Sequence, residues 1–388
     1  MALKKTLFLS ELYPPLIGGT CSMFSGRFGL YPKDRIVVLT KAVEGAEAFD
    51  QTAGYPIHRI PLVANGPKGF EWAGITWSLI KSGMALARQY RIERIECARF
   101  LPEGVAGYAL AKLLRKKLIV NYHAEEVCVL KNYKVERFLL RRIIRAASLN
   151  LPVSSFIASQ IREVAGRDIR VEIVPPGFNS SAIAPSDKEA VQRIRSQIGG
   201  QPILLTVARL QKRKGQDNVI RALPEILQTF PNARYIILGS DQGGTANYRQ
   251  ELEILAQQLG VNHQVIFVAD AKQNELSNYY AASDLFLMPN RFEPPGDIEG
   301  FGIVFLEAGF FKKPVIGGNS GGVVDAVRDG NTGFLVNGID PHDIAQKSIG
   351  ILSNPGLAAN MGENGFTFAQ SLSHERVFER YQRALEGL

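Results

Sequence analysis

Cysteine is scarce in these 388 residues, and the three present, Cys21, Cys97 and Cys128, are an odd number with no C-x-x-C pair. That excludes a disulfide framework and the usual spacing of a zinc site, and it fits small buried hydrophobes in a reduced, cytoplasmic setting. Long apolar runs are missing too. Lys4 and Lys5 precede only Thr6, Leu7, Phe8 and Leu9 before Glu11 interrupts, too short a stretch for the apolar region of a secretory leader. No run approaches the ~18 residues that cross a bilayer, so the chain is not expected to be integral to a membrane, which leaves peripheral attachment open. A dinucleotide fingerprint is absent as well. No G-x-G-x-x-G follows the first strand candidate; Gly18-Gly19 is the only glycine pair there, and Gly300-Phe301-Gly302 runs on to Phe305. That argues against a nicotinamide-dependent dehydrogenase.

What is present is length and an uneven charge. At 388 residues the chain exceeds the size at which one core stops growing, so two domains are expected. The formal charge of +8 is not shared evenly: residues 1–178 hold 26 Lys and Arg against 15 Asp and Glu, or +11, while 179–388 hold 19 against 22, or −3. Two basic clusters stand out. Lys112, Arg115, Lys116 and Lys117 form one, and Lys131, Lys134, Arg137, Arg141, Arg142 and Arg145 the other. Nucleic acid, anionic lipid or plain solvent would each suit them. No aromatic residues are interleaved with them in an RNA-binding pattern, so nucleic acid is the least favoured partner.

Short aliphatic runs alternate with longer amphipathic stretches, which is the pattern of βα units and parallel sheets. Strands are expected at residues 7–9, 36–39, 95–98, 118–122, 149–153 and 172–174 in the first half. The second half supplies 203–208, 235–238, 265–268, 285–288, 315–316 and 334–336. Pro175-Pro176-Gly177 stops the last strand of the first half, and the polar stretch from Asn179 to Lys188 is the expected hinge. The domains are therefore drawn as 1–178, 179–370 and a C-terminal helix, 371–388, packing back toward the first domain. Ligands of doubly wound domains bind beyond the C-terminal ends of the strands, so residues just after strands carry the argument.

After the strand 203–208 comes Arg209-Leu-Gln-Lys-Arg-Lys214-Gly215, with cations at a strand end and a glycine at the next helix start. Arg offers a planar fork of donors, Lys a point charge, and the helix N-terminus unpaired N–H groups, together a diphosphate site or else a solvated basic turn. A second constellation, Glu299-Gly300-Phe301-Gly302-Ile303-Val304-Phe305-Leu306-Glu307, places two carboxylates around a glycine-rich turn into an apolar helix. Glu307 sits where an ionised carboxylate is expensive without a partner, which a ribose diol would supply. Glu299 lies before the helix start, where it serves sugar hydroxyls or simply caps the helix, while N–H groups from Phe301 to Ile303 face a phosphate.

Glu299 and Glu307, eight apart around Gly-Phe-Gly, resemble the E-x7-E motif of retaining glycosyltransferase family 4. The resemblance runs through most of the chain: Pro14-Pro15-Leu16-Ile17-Gly18-Gly19, His123, Pro175-Pro176-Gly177, Arg209 to Gly215, and Gly317-Gly318-Asn319-Ser320-Gly321-Gly322. It implies the α/β GT-B fold, two Rossmann-like doubly wound domains facing across a cleft. It implies that Arg209 and Lys214 bind the donor diphosphate, that Glu299 meets the transferred sugar and Glu307 the ribose, that Gly18 or Gly19 passes close to the phosphates, and that His123 sits beside the sugar. The loop after 265–268 would read the base; Gln273 stands where guanine-specific members place an acid, with Asp270 the available carboxylate. Ala124 and Asp325 depart from the glycine and glutamate common at their places.

The stretch from Asp297 to Glu307 is especially similar to bacterial phosphatidylinositol-mannoside mannosyltransferases and lipopolysaccharide-core glucosyltransferases. The implied reaction moves a hexose from a GDP-mannose or UDP-glucose type donor to a hydroxyl of a glycan or lipid-linked acceptor, with retention, without metal and without a cofactor. Asp297-Ile298-Glu299 also resembles the acidic metal motif of the other glycosyltransferase architecture, but cations and a helix N-terminus already neutralise a diphosphate. The competing readings are a nucleotide-sugar epimerase of the same fold and a non-catalytic binder of anionic ligands. The expected place is the cytoplasm, with the inner face of an anionic membrane as the surface for peripheral attachment.

Overall fold

The computed structural model describes residues 3–16, 18–65, 70–178, 183, 185–240, 247–269 and 275–388. The chain divides into two compact units, one made of residues up to Gly177 together with His374–Leu388, the other of Phe178–Ser373. The first crossing thus lies just before the polar stretch named as the hinge.

In the first unit six strands form one parallel sheet: β1 (Thr6–Ser10), β2 (Ile36–Lys41), β3 (Ile57–Ile60), β4 (Arg94–Cys97), β5 (Lys117–Tyr122) and β6 (Leu149–Pro152), in the order β3-β2-β1-β4-β5-β6. The central strands are buried on both faces, hence the near-continuous apolar runs of β1 and β2; β4 is buried as fully without one. Two expectations fail here. Residues 172–174 form no strand; Val171 makes a single parallel bridge to Asn150, and Pro175-Pro176 then ends the pairing. The sixth strand is instead β3, whose Ile-His-Arg-Ile is only half-buried at the sheet edge and lacks the apolar run.

The second unit repeats the plan with β7 (Ile203–Val207), β8 (Arg234–Leu238), β9 (Val265–Val268), β10 (Leu285–Met288), β11 (Val315–Gly318) and β12 (Gly333–Val336), ordered β12-β11-β10-β7-β8-β9. Numbered within its own unit, this is the same doubly wound order as the first sheet, and both match the Rossmann arrangement. The core gathers Leu204, Tyr235, Ile237, Leu285 and Ile316 from the strands with Val219, Leu223 and Ile226 from the helix Gln216–Thr229.

Strand β4 carries charge into the first core. Glu96 is fully buried, yet its Oε1 accepts from Arg27 Nη1 (3.3 Å) and Asn121 Nδ2 (3.0 Å), and its Oε2 accepts from the Tyr381 hydroxyl (2.5 Å). On the same strand face Arg94 Nη2 donates to the Tyr31 hydroxyl (2.7 Å) and to Thr6 Oγ1 (3.0 Å). Tyr381 belongs to the C-terminal helix His374–Ala384, which returns to this unit. The His374 ring fills the space beside Gly26, where a Cβ would lie 2.0 Å from it. Cys21, Cys97 and Cys128 are free and buried. No helix of the described residues is long and apolar enough to cross a membrane.

Candidate functional site

Strand order reverses between β7 and β10 in the second unit, so the crevice beyond their C-terminal ends is where this sheet offers a ligand site. Two loops meet there. The loop after β7 carries Arg209, exposed at the strand end, and a short turn, Lys212–Lys214, ended by Gly215 at φ +76°. A Cβ on Gly215 would lie 2.2 Å from the carbonyl oxygen of Pro289, which follows β10, so only glycine permits this approach.

From β10 the second loop brings Glu299 onto those cations. Its Oε2 accepts from Arg213 Nη1 (2.6 Å) and from the Lys214 ammonium. Burial alone would raise this carboxyl, but Lys214 and Arg213 outweigh it and hold it at about 2. Burial also lowers the Lys214 ammonium, against the pull of Glu299 and with the help of Arg213 and Arg209. Gly321, at φ +62°, and the Gly322 N–H, which donates to the Glu299 carbonyl (2.8 Å), pin the backbone of this loop. The function of the Gly317–Gly322 motif here is therefore geometric.

The helix that follows, Ile303–Phe310, starts at Gly302 (φ +94°) and has no side-chain cap. Glu299 is not a helix cap; its carboxylate is engaged by the cations, and the first N–H groups of the helix are left to other partners. Phe301 is buried, and Gly302 packs beside the Phe305 ring, so the Gly300–Ile303 turn is fixed by its own core contacts. Four residues further on, Glu307 accepts from the buried Tyr280 hydroxyl at 2.7 Å, and burial raises its carboxyl despite that bond.

A ring of charged side chains braces the cationic loop. Arg291, after β10, donates its backbone N–H to the Arg213 carbonyl (3.0 Å), while its Nη1 reaches Asp217 Oδ1 (2.7 Å) and its Nε Glu293 Oε1 (2.5 Å). The Tyr248 hydroxyl donates to the same Asp217 oxygen (2.9 Å). Arg291, Asp217 and Tyr248, together with Lys212, Arg221 and Glu251, line a cavity of about 280 Å³.

In the first unit the corresponding reversal lies between β1 and β4. Beyond β1, the helix Gly19–Gly29 begins at Gly18, which has open space where a side chain would stand. Beyond β4, Arg99 Nη2 pairs with Glu11 Oε2 (2.8 Å) and with the buried Glu103 Oε1 (3.3 Å). His123 follows β5; its backbone N–H donates to Glu126 Oε1 (2.9 Å) and its Nε2 is buried without a hydrogen-bond partner among the described residues. Burial, with Arg99 and Arg27 nearby, brings the His123 imidazole down to about 4, so the ring is neutral at physiological pH.

Comparison with known proteins completes the picture. Residues 187–368 match the glycosyl transferases group 1 family and residues 33–182 match Glycosyltransferase Family 4. A GDP-mannose-dependent alpha-(1-6)-phosphatidylinositol monomannoside mannosyltransferase of Mycolicibacterium smegmatis is 32% identical over 366 residues, 92% of each chain. The chain belongs to glycosyltransferase family 4. A Corynebacterium glutamicum mannosyltransferase acting on monoacylated phosphatidylinositol monomannoside is 29% identical, spanning 100% of this chain and 99% of the relative. Among solved structures, Anabaena Alr3699/HepE in complex with UDP and glucose superposes with a TM-score of 0.79 at 20% identity, over 99% of this chain and 100% of that one. WaaG, a glycosyltransferase of lipopolysaccharide biosynthesis, gives 0.70 at 18%, over 99% and 100%. These last two likenesses concern the GT-B fold.

In this family 4 chain the structure unites Arg213, Lys214 and Glu299, places Arg209 near Lys214, and sets Glu307 one helical turn into the next element. Gly18, Gly19 and His123 belong to the other unit. Asp270 and Gln273 lie outside the described residues. Sequence reasoning passed over Arg213, which binds Glu299 and also reaches Asp297 with its Nε (2.8 Å). Asp297, weighed earlier as half of a metal motif, is thus an ion-pair partner. The signal for Arg213 was present in the run Lys212-Arg-Lys214; that for Tyr280, distant in sequence from Glu307, was not. Among the described residues, no group of three or more His, Cys, Asp or Glu is placed to hold a metal ion.

Proposed function

We propose that this chain transfers mannose from GDP-mannose, with retention of configuration and without a metal, to a hydroxyl of a lipid-linked glycan acceptor. The observation that carries the reading is the convergence of Arg213 and Lys214 on Glu299 at the strand-order reversal of the second unit. A diphosphate entering there finds cations already held in a low-dielectric pocket beside an uncapped helix N-terminus. The GDP-mannose-dependent relatives support this choice of donor base and sugar.

In this reading the bond between the anomeric carbon and the leaving diphosphate oxygen breaks, the acceptor oxygen bonds to the same face of that carbon, and the diphosphate oxygen takes the acceptor's proton. No protein nucleophile is needed. Lys214 and Arg209 stabilise the charge growing on the diphosphate, Glu299 fixes sugar hydroxyls, and Glu307, already half-satisfied by Tyr280, accepts from the ribose. Asp270 contacts the base, and Gly18, Gly19 and His123 are the ligand contacts assigned to the first unit.

Labelled GDP-mannose and UDP-glucose, offered side by side with a lipid-linked glycan acceptor, test the donor. The expected outcome is an α-linked mannosyl product that forms undiminished in EDTA. A β-linked product would refute retention, loss of activity in EDTA would refute metal independence, and donor consumed without acceptor would favour an epimerase.

A further inference from the structure

Glu307 stands on the helix Ile303–Phe310, whose other residues are all apolar. Its two oxygens differ in what they meet. Oε2 accepts from the Tyr280 hydroxyl at 2.7 Å, while Oε1 has no hydrogen-bond partner among the described residues. The residue is half-buried rather than sealed, so that second oxygen is open to a ligand. A carboxylate in so apolar a setting would otherwise turn about its last bond; here one oxygen is tied and the other is left over.

The hydroxyl that ties it is itself immobile. Tyr280 is buried on the helix Leu276–Ala282, its ring stacked on Phe311 (centroids 5.7 Å apart, interplanar angle 5°) and tilted against Phe286 of β10 (5.9 Å). Phe305, on the same helix as Glu307, packs edge-on against that same Phe286 ring (5.6 Å). One aromatic side chain of β10 thus indexes both helices, and the reach from Tyr280 to Glu307 is set by core packing rather than by a loop. Burial and the neighbouring carboxylate hold the Tyr280 proton on well above the ordinary phenol range, so the bond keeps one polarity: Tyr280 donates and Glu307 accepts.

We propose that Tyr280 is a positioning residue for nucleotide binding, which ties down one oxygen of Glu307 so that the other reads a single ribose hydroxyl of the donor. This rests on the assignment of Glu307 to the ribose. A free carboxylate would take a vicinal diol on both oxygens and weigh its two hydroxyls alike. The tied one is strict at one hydroxyl and tolerant at the other.

Calorimetric titration of the full chain with GDP and UDP identifies the nucleotide that binds, and its 2′-deoxy and 3′-deoxy forms then test the inference. In the wild type one deoxy form is expected to bind about ten-fold or more weakly, the loss of a hydrogen bond to a charged acceptor, and the other within about two-fold of the parent. Tyr280→Phe, which keeps the ring and its stack, should lower affinity for the parent several-fold and bring the two deoxy forms close to equal. In turnover it should raise the KM for donor more than it lowers kcat. Phe311→Leu is the control for a loosened core: it should lower the melting temperature and leave the ratio of the deoxy forms as in the wild type. Equal losses for the two deoxy forms in the wild type overturn the inference, as does a wild-type ratio in Tyr280→Phe or an equal shift of that ratio in Phe311→Leu. Glu307→Gln separates these outcomes from the reading beneath them. If it bound the parent and both deoxy forms as the wild type does, Glu307 would not meet the ribose at all.

Discussion

The Lys214 ammonium donates to the Glu299 carboxylate, so the cation assigned to the donor diphosphate is already in the company of an acid. On the proposed reaction, a diphosphate would not meet a bare charge here but compete with Glu299 for Lys214 while Arg213 keeps the carboxylate in place, linking donor binding to the position of that acid.

Removal of that ammonium should show in turnover. Lys214→Ala is expected to lower kcat about 10²- to 10³-fold at saturating donor, the scale of one preorganised donor to a developing anion. Single-turnover measurement with excess enzyme isolates the step. A wild-type rate would take Lys214 out of the chemistry.

Two groups should write separate windows into the pH dependence of stability. His123 is lowered to about 4 in the fold, so the unfolded chain binds its proton first as pH drops below the ordinary histidine range; stability is lost between about 6.5 and 4. Glu299 is lowered to about 2, so its contribution is present above about 4.5 and lost as pH falls toward 2. Chemical denaturation across pH should show His123→Gln reducing the slope of the upper window, where His58 and His374, also lowered by burial, keep a remainder, and Glu299→Gln reducing that of the lower one.

Gly215→Ala combines a left-handed backbone with a blocked approach to Pro289. A cost of about 1–3 kcal/mol is expected. Calorimetric titration with GDP should show the larger effect, because the displaced loop carries Lys214. Unchanged nucleotide affinity would separate the loop from the site.

Arg291 reaches the site through Asp217, Glu293 and the Arg213 carbonyl, with no hydrogen bond or ion pair to Lys214 or Glu299 themselves among the described residues. Arg291→Gln and Asp217→Asn should each raise the KM for donor more than they lower kcat. Their double mutant should show a coupling of ~1–2 kcal/mol. Additive effects would mean that the two side chains do not act as one brace.

Much of this fold is legible in the chain because buried parallel strands must be aliphatic on both faces, and β1, β2, β7 and β10 are. Strand β3 escaped because an edge needs little apolar surface, and His58-Arg59 hides its pattern. The Glu96 network was invisible for another reason: Arg27, Asn121 and Tyr381 come from segments far apart, and nothing local marks a strand that will bury a carboxylate. At the site, Lys214, Glu299 and Glu307 stood out by spacing from turns and strands. Which cation Glu299 would bind did not, because three adjacent basic residues differ only in where a short turn points them.

The return of the C-terminal helix to the first sheet bears on how the protein is born. The segment Phe178–Ser373 is contiguous and has all its strands once it has left the ribosome, whereas the sheet made first still waits for the hydroxyl of Tyr381 beside Glu96. Until the last residues emerge, that carboxylate and Arg27 sit in a core whose lid has not been synthesised. The half of the chain translated first is therefore the half that finishes folding last, because its sheet is completed only by a segment made after the whole of the other unit.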